Sequence, residues 1–141
     1  MSDGPAVHMS LQRRVRWADT DASGLWHFAV VCDLVEETET ELHRKLGIVD
    51  ETIGRMPRVS FTVEYDRPAS FGDLLNVELR VVDVGGSSLV YEFAIHRRDD
   101  LLASGSMTTV FVDGGGRAAP LPSSIREPLV TTASLPQLHE D

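Results

Sequence analysis

The stretch WADTDASGLWHF, residues 17–28, sets Asp19, Asp21, Gly24 and His27 immediately ahead of a long amphipathic run. Asp, Ser and Gly favour turns and caps, so DTDASG breaks whatever precedes it. Before it, LQRRVRW (residues 11–17) alternates Leu11, Arg13, Val15 and Trp17 against Gln12, Arg14 and Arg16, the period of a first strand. After it, Val31, Leu34, Val35, Thr38, Leu42 and Leu46 recur at three- and four-residue spacing, which predicts a helix from about Trp26 to Leu46. Gly47 ends that helix.

The rest of the chain reads as strands. RVSFTVEY (58–65), LLNVELRVVDV (74–84), LVYEFAIHRR (89–98) and LASGSMTTVFV (102–112) alternate apolar and polar residues between short turn signals. In the third of these, Leu89, Tyr91, Phe93 and Ile95 share a face. In the fourth, Gly105 suggests a bulge. An antiparallel sheet with one apolar face needs a cover, and one helix of about 20 residues supplies it. The expected class is therefore α+β in two layers, an antiparallel sheet of about five strands around one long helix. A single helix does not cover five long strands, so an oligomer is expected as well. Residues 1–10 read as a disordered leader, 11–127 as the domain and 128–141 as a flexible tail.

Composition narrows the function. A chain of 141 residues has the size of one domain, and a net charge of −9 argues against nucleic acid. No apolar run approaches 18 residues and the first ten lack an apolar signal core, so neither a membrane span nor a secretion signal is expected. Cys32 is the one cysteine, which excludes an intramolecular disulfide and fits a cytoplasmic location. Its place beside Val30 and Val31 suggests a small buried hydrophobe.

The segments RWADTDASGLWHF, LVEETETELHRKLGI, YDRPASFGDLLNVELRV and SGSMTTVFVD, in this order, resemble the hot-dog fold, specifically the 4-hydroxybenzoyl-CoA thioesterase-like family of short acyl-CoA thioesterases, over residues 11 to 127. The resemblance implies hydrolysis of a small acyl-CoA thioester with no cofactor beyond the CoA of the substrate. It implies Asp21 as the catalytic carboxylate and the backbone N–H of Phe28 as the group that polarises the thioester carbonyl. Many members carry His or Tyr where this chain has Phe28, and His27 stands one position earlier. Any non-proline residue supplies an N–H, so the backbone donor survives the change. A side-chain role for histidine at that position does not transfer. The family further implies a homodimer or a dimer of dimers, with sites shared between chains.

The residue types fit that chemistry. A carboxylate at Asp21 can act as general base or as nucleophile, and its other reading is a cap or turn. A helix N-terminus offers unpaired N–H groups to an oxyanion. Gly24 permits a sharp turn and close approach of substrate. His27 can orient Asp21 or contact substrate, and Glu36, further along the helix, is a second acid–base candidate. Trp17, Trp26, Phe28 and Phe61 are candidates to line an acyl pocket, with core packing as the other reading. Arg58 and Ser60 open the strand after the helix, close to where the family places ligand. Asp19, Asp21 and His27 are plausible metal ligands by type, but no second histidine falls at ligand spacing, so no metal is expected. Two other functions stay open: a hot-dog protein that binds an acyl or aromatic ligand without turnover, and a hydratase or dehydratase built on His27.

Overall fold

Residues 7–134 are described in the computed structural model of the chain, with side chains through residue 130. The chain runs β1 (His8–Arg14), a 3-10 turn (Trp17–Asp19), α1 (Val30–Lys45), α2 (Val49–Thr52), β2 (Arg58–Tyr65), β3 (Leu74–Val84), β4 (Ser88–Arg97), β5 (Asp100–Val110) and α3 (Ser123–Ser134). The five strands form one antiparallel sheet in the order β1-β3-β4-β5-β2. This is the α+β hot-dog architecture expected from the sequence.

Alternation decides which face of the sheet is covered. Leu75, Val77 and Leu79 of β3, Leu89, Tyr91, Phe93 and Ile95 of β4, and Met107 and Thr109 of β5 are all buried. They meet Val31, Leu34, Val35, Thr38 and Leu42 of α1, the stripe its spacing predicted. At roughly 25 cal/mol per Å² of apolar surface, each such aliphatic side chain contributes about 1.5–3 kcal/mol. Among the described residues no helix is long and apolar enough to cross a membrane.

Several boundaries differ from the sequence reading. The first strand is His8–Arg14, not 11–17, so residues 8–10 are ordered where a leader was expected. Val7 is buried, and its carbonyl accepts the Val81 N–H, which extends the edge ladder backwards. Trp17 leaves the strand for the 3-10 turn and lies 81% exposed against Phe71, not packed in the core. The chain from residue 128 is not all tail: α3 runs through it to Ser134, because Leu121, Ile125 and Leu129 recur at four-residue spacing and are buried. Residues 1–6 and 135–141, the rest of the expected leader and tail, lie outside the described residues.

Two further expectations give way. Cys32 is exposed, because it falls on the side of α1 turned from the sheet. Gly105 is no bulge: it pairs in register with both Val63 and Phe93. A Cβ there would lie 1.8 Å from the Thr62 carbonyl oxygen and 2.8 Å from the Phe93 ring. The glycine is required by close approach, and Phe61 and Phe93 stack at 5.3 Å in the space it leaves.

Candidate active site

The loop between β1 and α1 is anchored by Asp19. Its carboxylate, 4% exposed, accepts from Arg13 Nη2 at 2.6 Å, from the Arg16 N–H at 2.8 Å and from Arg16 Nη2 at 3.2 Å. Burial alone would raise its pKa, but the Arg13 and Arg16 hydrogen bonds outweigh that and hold it at about 2. The other arm of Arg13 reaches Glu37 of α1 at 2.9 Å. Arg13 thus ties the loop to the helix.

Asp21 lies two residues on and is exposed. Its Oδ1 accepts from the Ser23 N–H at 2.8 Å and from the Ser23 hydroxyl, an Asx turn that sets its direction. These bonds, and to a lesser degree the neighbouring His27, lower its pKa, so the carboxylate is ionised at neutral pH. The turn reading of Asp21 is therefore correct, while the helix-cap reading is not: the N-cap of α1 is Ala29, with no side-chain cap. Gly24 closes the turn at φ +82, the left-handed region that favours glycine, and its N–H donates to the Asp21 carbonyl.

Residues 26–30 account for their backbone donors one by one. The Trp26 N–H goes to the Ala69 carbonyl at 2.8 Å and the His27 N–H to the Asp19 carbonyl at 2.7 Å. The Ala29 N–H donates to His27 Nδ1 at 3.1 Å, and the Val30 N–H to the His27 carbonyl at 2.9 Å. The Phe28 N–H has no acceptor among the described residues. These bonds also explain why α1 starts at Val30 and not at Trp26. Trp26 and His27 are tied across the loop to Ala69 and Asp19, which holds this segment in bridge pairing rather than helical geometry. Phe28 itself is 68% exposed, its ring stacked on His27. Trp26 is buried and meets the Tyr65 ring edge-on.

The structure brings Asp21, Gly24, Trp26, His27 and Phe28 together and leaves the other candidates elsewhere. Glu36 and Arg58 line a cleft of about 310 Å³ between α1, α2 and the start of β2, which includes no residue of the 17–28 loop. Arg58 is committed there: it is ion-paired with the buried carboxylate of Glu39 and donates to the Met56 carbonyl. Ser60 is exposed on β2, and Phe61 packs against the core. Asp19 and Asp21 do not converge as metal ligands, since Asp19 is turned to two arginines. Among the described residues no three His, Cys, Asp or Glu side chains could hold a metal ion together.

Sequence reasoning missed two groups. One is the Arg13 bridge. The other is a buried cluster behind the cleft, where His43 Nδ1 meets the Thr52 hydroxyl and Nε2 the Tyr91 hydroxyl, each at 2.8 Å. Burial lowers the His43 pKa to about 4, and Arg58 adds to the effect. The four-residue spacing of Glu39 and His43 on the helix was the available signal.

Comparison with known proteins identifies the family. Residues 15–129 match the family described as the thioesterase-like superfamily. The chain is 30% identical to the acyl-CoA thioesterase YbgC of Haemophilus influenzae, over 72% of this chain and 79% of that protein. It is 28% identical to a 1,4-dihydroxy-2-naphthoyl-CoA hydrolase of a Synechococcus strain, over 79% and 82% of the two chains. The crystal structure of a Thermus thermophilus thioesterase complexed with coenzyme A and Zn superposes with a TM-score of 0.82 at 28% identity, covering 97% of this chain and all of that one. The chain therefore belongs to the thioesterase-like superfamily and is a thioester hydrolase.

Proposed function

We propose that the protein hydrolyses acyl-CoA thioesters to the free acid and CoA, with Asp21 as general base or nucleophile and the Phe28 N–H as oxyanion donor. One observation carries the reading: of the five consecutive N–H groups from Trp26 to Val30, four are paired and, among the described residues, Phe28's is not. A donor fixed by its neighbours yet left open suits charge that develops on a thioester oxygen. Asp21, ionised and exposed on the same loop, either draws a proton from water or attacks the carbonyl carbon and expels the CoA thiolate. Water then releases the acid. His27 serves as a support, since its Nδ1 is already engaged by the Ala29 N–H. That engagement also disfavours the hydratase reading. Gly24, Trp26 and Phe61 are proposed to border the acyl group.

The proposed working unit is a dimer. β2 is a sheet edge, and Val59 on it is 61% exposed. Exposed edges pair. Two chains joined there bury Val59 and bring the Glu36, Arg58 and Ser60 surface of each against the other, where these residues contribute to a shared site. Light scattering at low micromolar concentration tests this, and a folded, fully active monomer contradicts it.

The decisive experiment is a panel of aliphatic and aromatic acyl-CoAs incubated with the protein and a thiol reagent. CoA release is expected. Binding without release overturns the reading in favour of a ligand carrier, and a change in enoyl absorbance without thiol overturns it in favour of a hydratase.

A further inference from the structure

The peptide that follows the proposed oxyanion donor is gripped on both sides. Its carbonyl, that of Phe28, accepts from the Tyr65 hydroxyl at 2.6 Å. Its N–H, that of Ala29, donates to His27 Nδ1 at 3.1 Å. The helix makes no competing claim on this carbonyl, because the Cys32 N–H, its usual i+4 donor, goes to the Ala29 carbonyl at 3.1 Å. The preceding peptide is held at its own carbonyl by the Val30 N–H. The two planes that meet at Phe28 Cα are therefore both fixed, and with them the direction of the Phe28 N–H.

Tyr65 is the long-range member of this grip. It comes from the end of β2, so it ties the sheet edge to the loop ahead of α1. Its ring stands edge-on to the buried Trp26 at 6.4 Å between centroids, 89° between planes, which fixes where the hydroxyl points. Burial, and then the nearby Cys32, raise the hydroxyl's pKa, so it remains a protonated donor at neutral pH.

We propose that Tyr65 is a positioning residue for thioester hydrolysis: through the Phe28 carbonyl, with His27 opposite, it holds the Phe28 N–H in the direction a developing oxyanion requires. This rests on the thioesterase reading above. It differs from a structural role in what it predicts. A preorganised donor lowers the barrier without tightening ground-state binding, so its loosening lowers kcat and leaves KM in place. Deleting an oxyanion donor outright costs on the order of 10²–10³ in kcat, and misdirecting one costs less.

The test is Tyr65→Phe, which keeps the ring against Trp26 and removes only the hydroxyl, assayed on the best acyl-CoA of the panel beside wild type and Asp21→Asn. The expected result is a loss of about tenfold in kcat, KM within about twofold and a melting temperature within about 2 °C of wild type. A second pair covers the other side of the peptide. His27→Ala removes the acceptor and should lose a comparable factor. His27→Asn keeps an acceptor near the Nδ1 position and should recover most of it. With wild type active and Asp21→Asn inactive, Tyr65→Phe at wild-type kcat overturns the positioning role alone. So does a raised KM at unchanged kcat, or a large fall in melting temperature with normal turnover per folded molecule. Absence of CoA release by wild type overturns the thioesterase reading and this inference with it, whereas full activity in Asp21→Asn overturns the placing of the site on the Asp21–Phe28 loop and, through it, this inference.

Discussion

The two ends of α1 treat polar groups in opposite ways. At its N-terminus, Asp21 and Phe28 are exposed, the helix has no side-chain cap and the Phe28 N–H is unpaired among the described residues. At its C-terminal half, Glu39 and His43 are buried and every contact is reciprocal: Arg58 on Glu39, Thr52 and Tyr91 on His43. Buried polar groups without partners are expensive, so the second cluster is saturated and contributes to stability. The first is left open to solvent, where an unpaired donor costs little and remains available. Titratable residues alone do not separate a site from a scaffold. The saturated end has them too, and it borders a cleft, yet its buried carboxylate and imidazole are already paired within the fold.

The sharpest way to break this contrast is Asp21→Asn. It keeps the Asx turn to Ser23 and removes the base, so turnover should fall about a hundredfold or more with the fold intact. Hydrolysis within a few-fold of wild type would end the assignment. Acid titration probes the other end. His43 is held neutral down to about 4, whereas in the unfolded chain it protonates near 6.5. Between those values the unfolded state binds the extra proton, so stability is fully present above pH 6.5 and is lost as pH falls toward 4, by roughly 3 kcal/mol in all. Urea unfolding of wild type against His43→Gln at pH 7, 6, 5 and 4 isolates this slope, and parallel curves would refute it. Tyr91→Phe strips one partner from His43 and should cost about 1–3 kcal/mol of stability while turnover per folded molecule stays within twofold. Lost turnover there would mean that the two ends are coupled. The smallest effect is expected at Phe28→Ala, which leaves the N–H in place: acyl preference should shift by a few-fold across the panel, and a collapse on every substrate would show that the ring itself takes part.

Most of the fold was legible because its signals are local. β2 and β3 have the bounds their alternation predicted, and Leu89, Tyr91, Phe93 and Ile95 fill the face they were assigned. The misplaced ends have non-local causes. Trp26 to Ala29 carry apolar residues at helical spacing, but the Trp26 N–H is claimed by Ala69, far along the chain. Cys32 neighbours two buried valines in sequence and faces away from them in space. At the site, Asp21, Gly24, His27 and Phe28 fall in one short stretch and were found together. Tyr65 is just one alternating position of RVSFTVEY in the sequence. Its hydroxyl reaches Phe28 because β2 forms the far edge of the sheet, which no spacing within either segment announces.

The strand order has a consequence for how the chain comes together. The centre of the sheet, β3-β4-β5, is a meander of neighbouring hairpins, while each edge joins distant segments: His8 beside Arg80, Arg58 beside Thr109. Loop closure delays such distant pairings, and sheets that depend on them fold slowly, in milliseconds to seconds. The hairpins should therefore assemble ahead of the edges, and β2, which carries Tyr65, should dock late. On refolding from urea, secondary structure followed by circular dichroism should return before turnover does. Simultaneous return of the two signals would show that both edges dock in the same step as the hairpins.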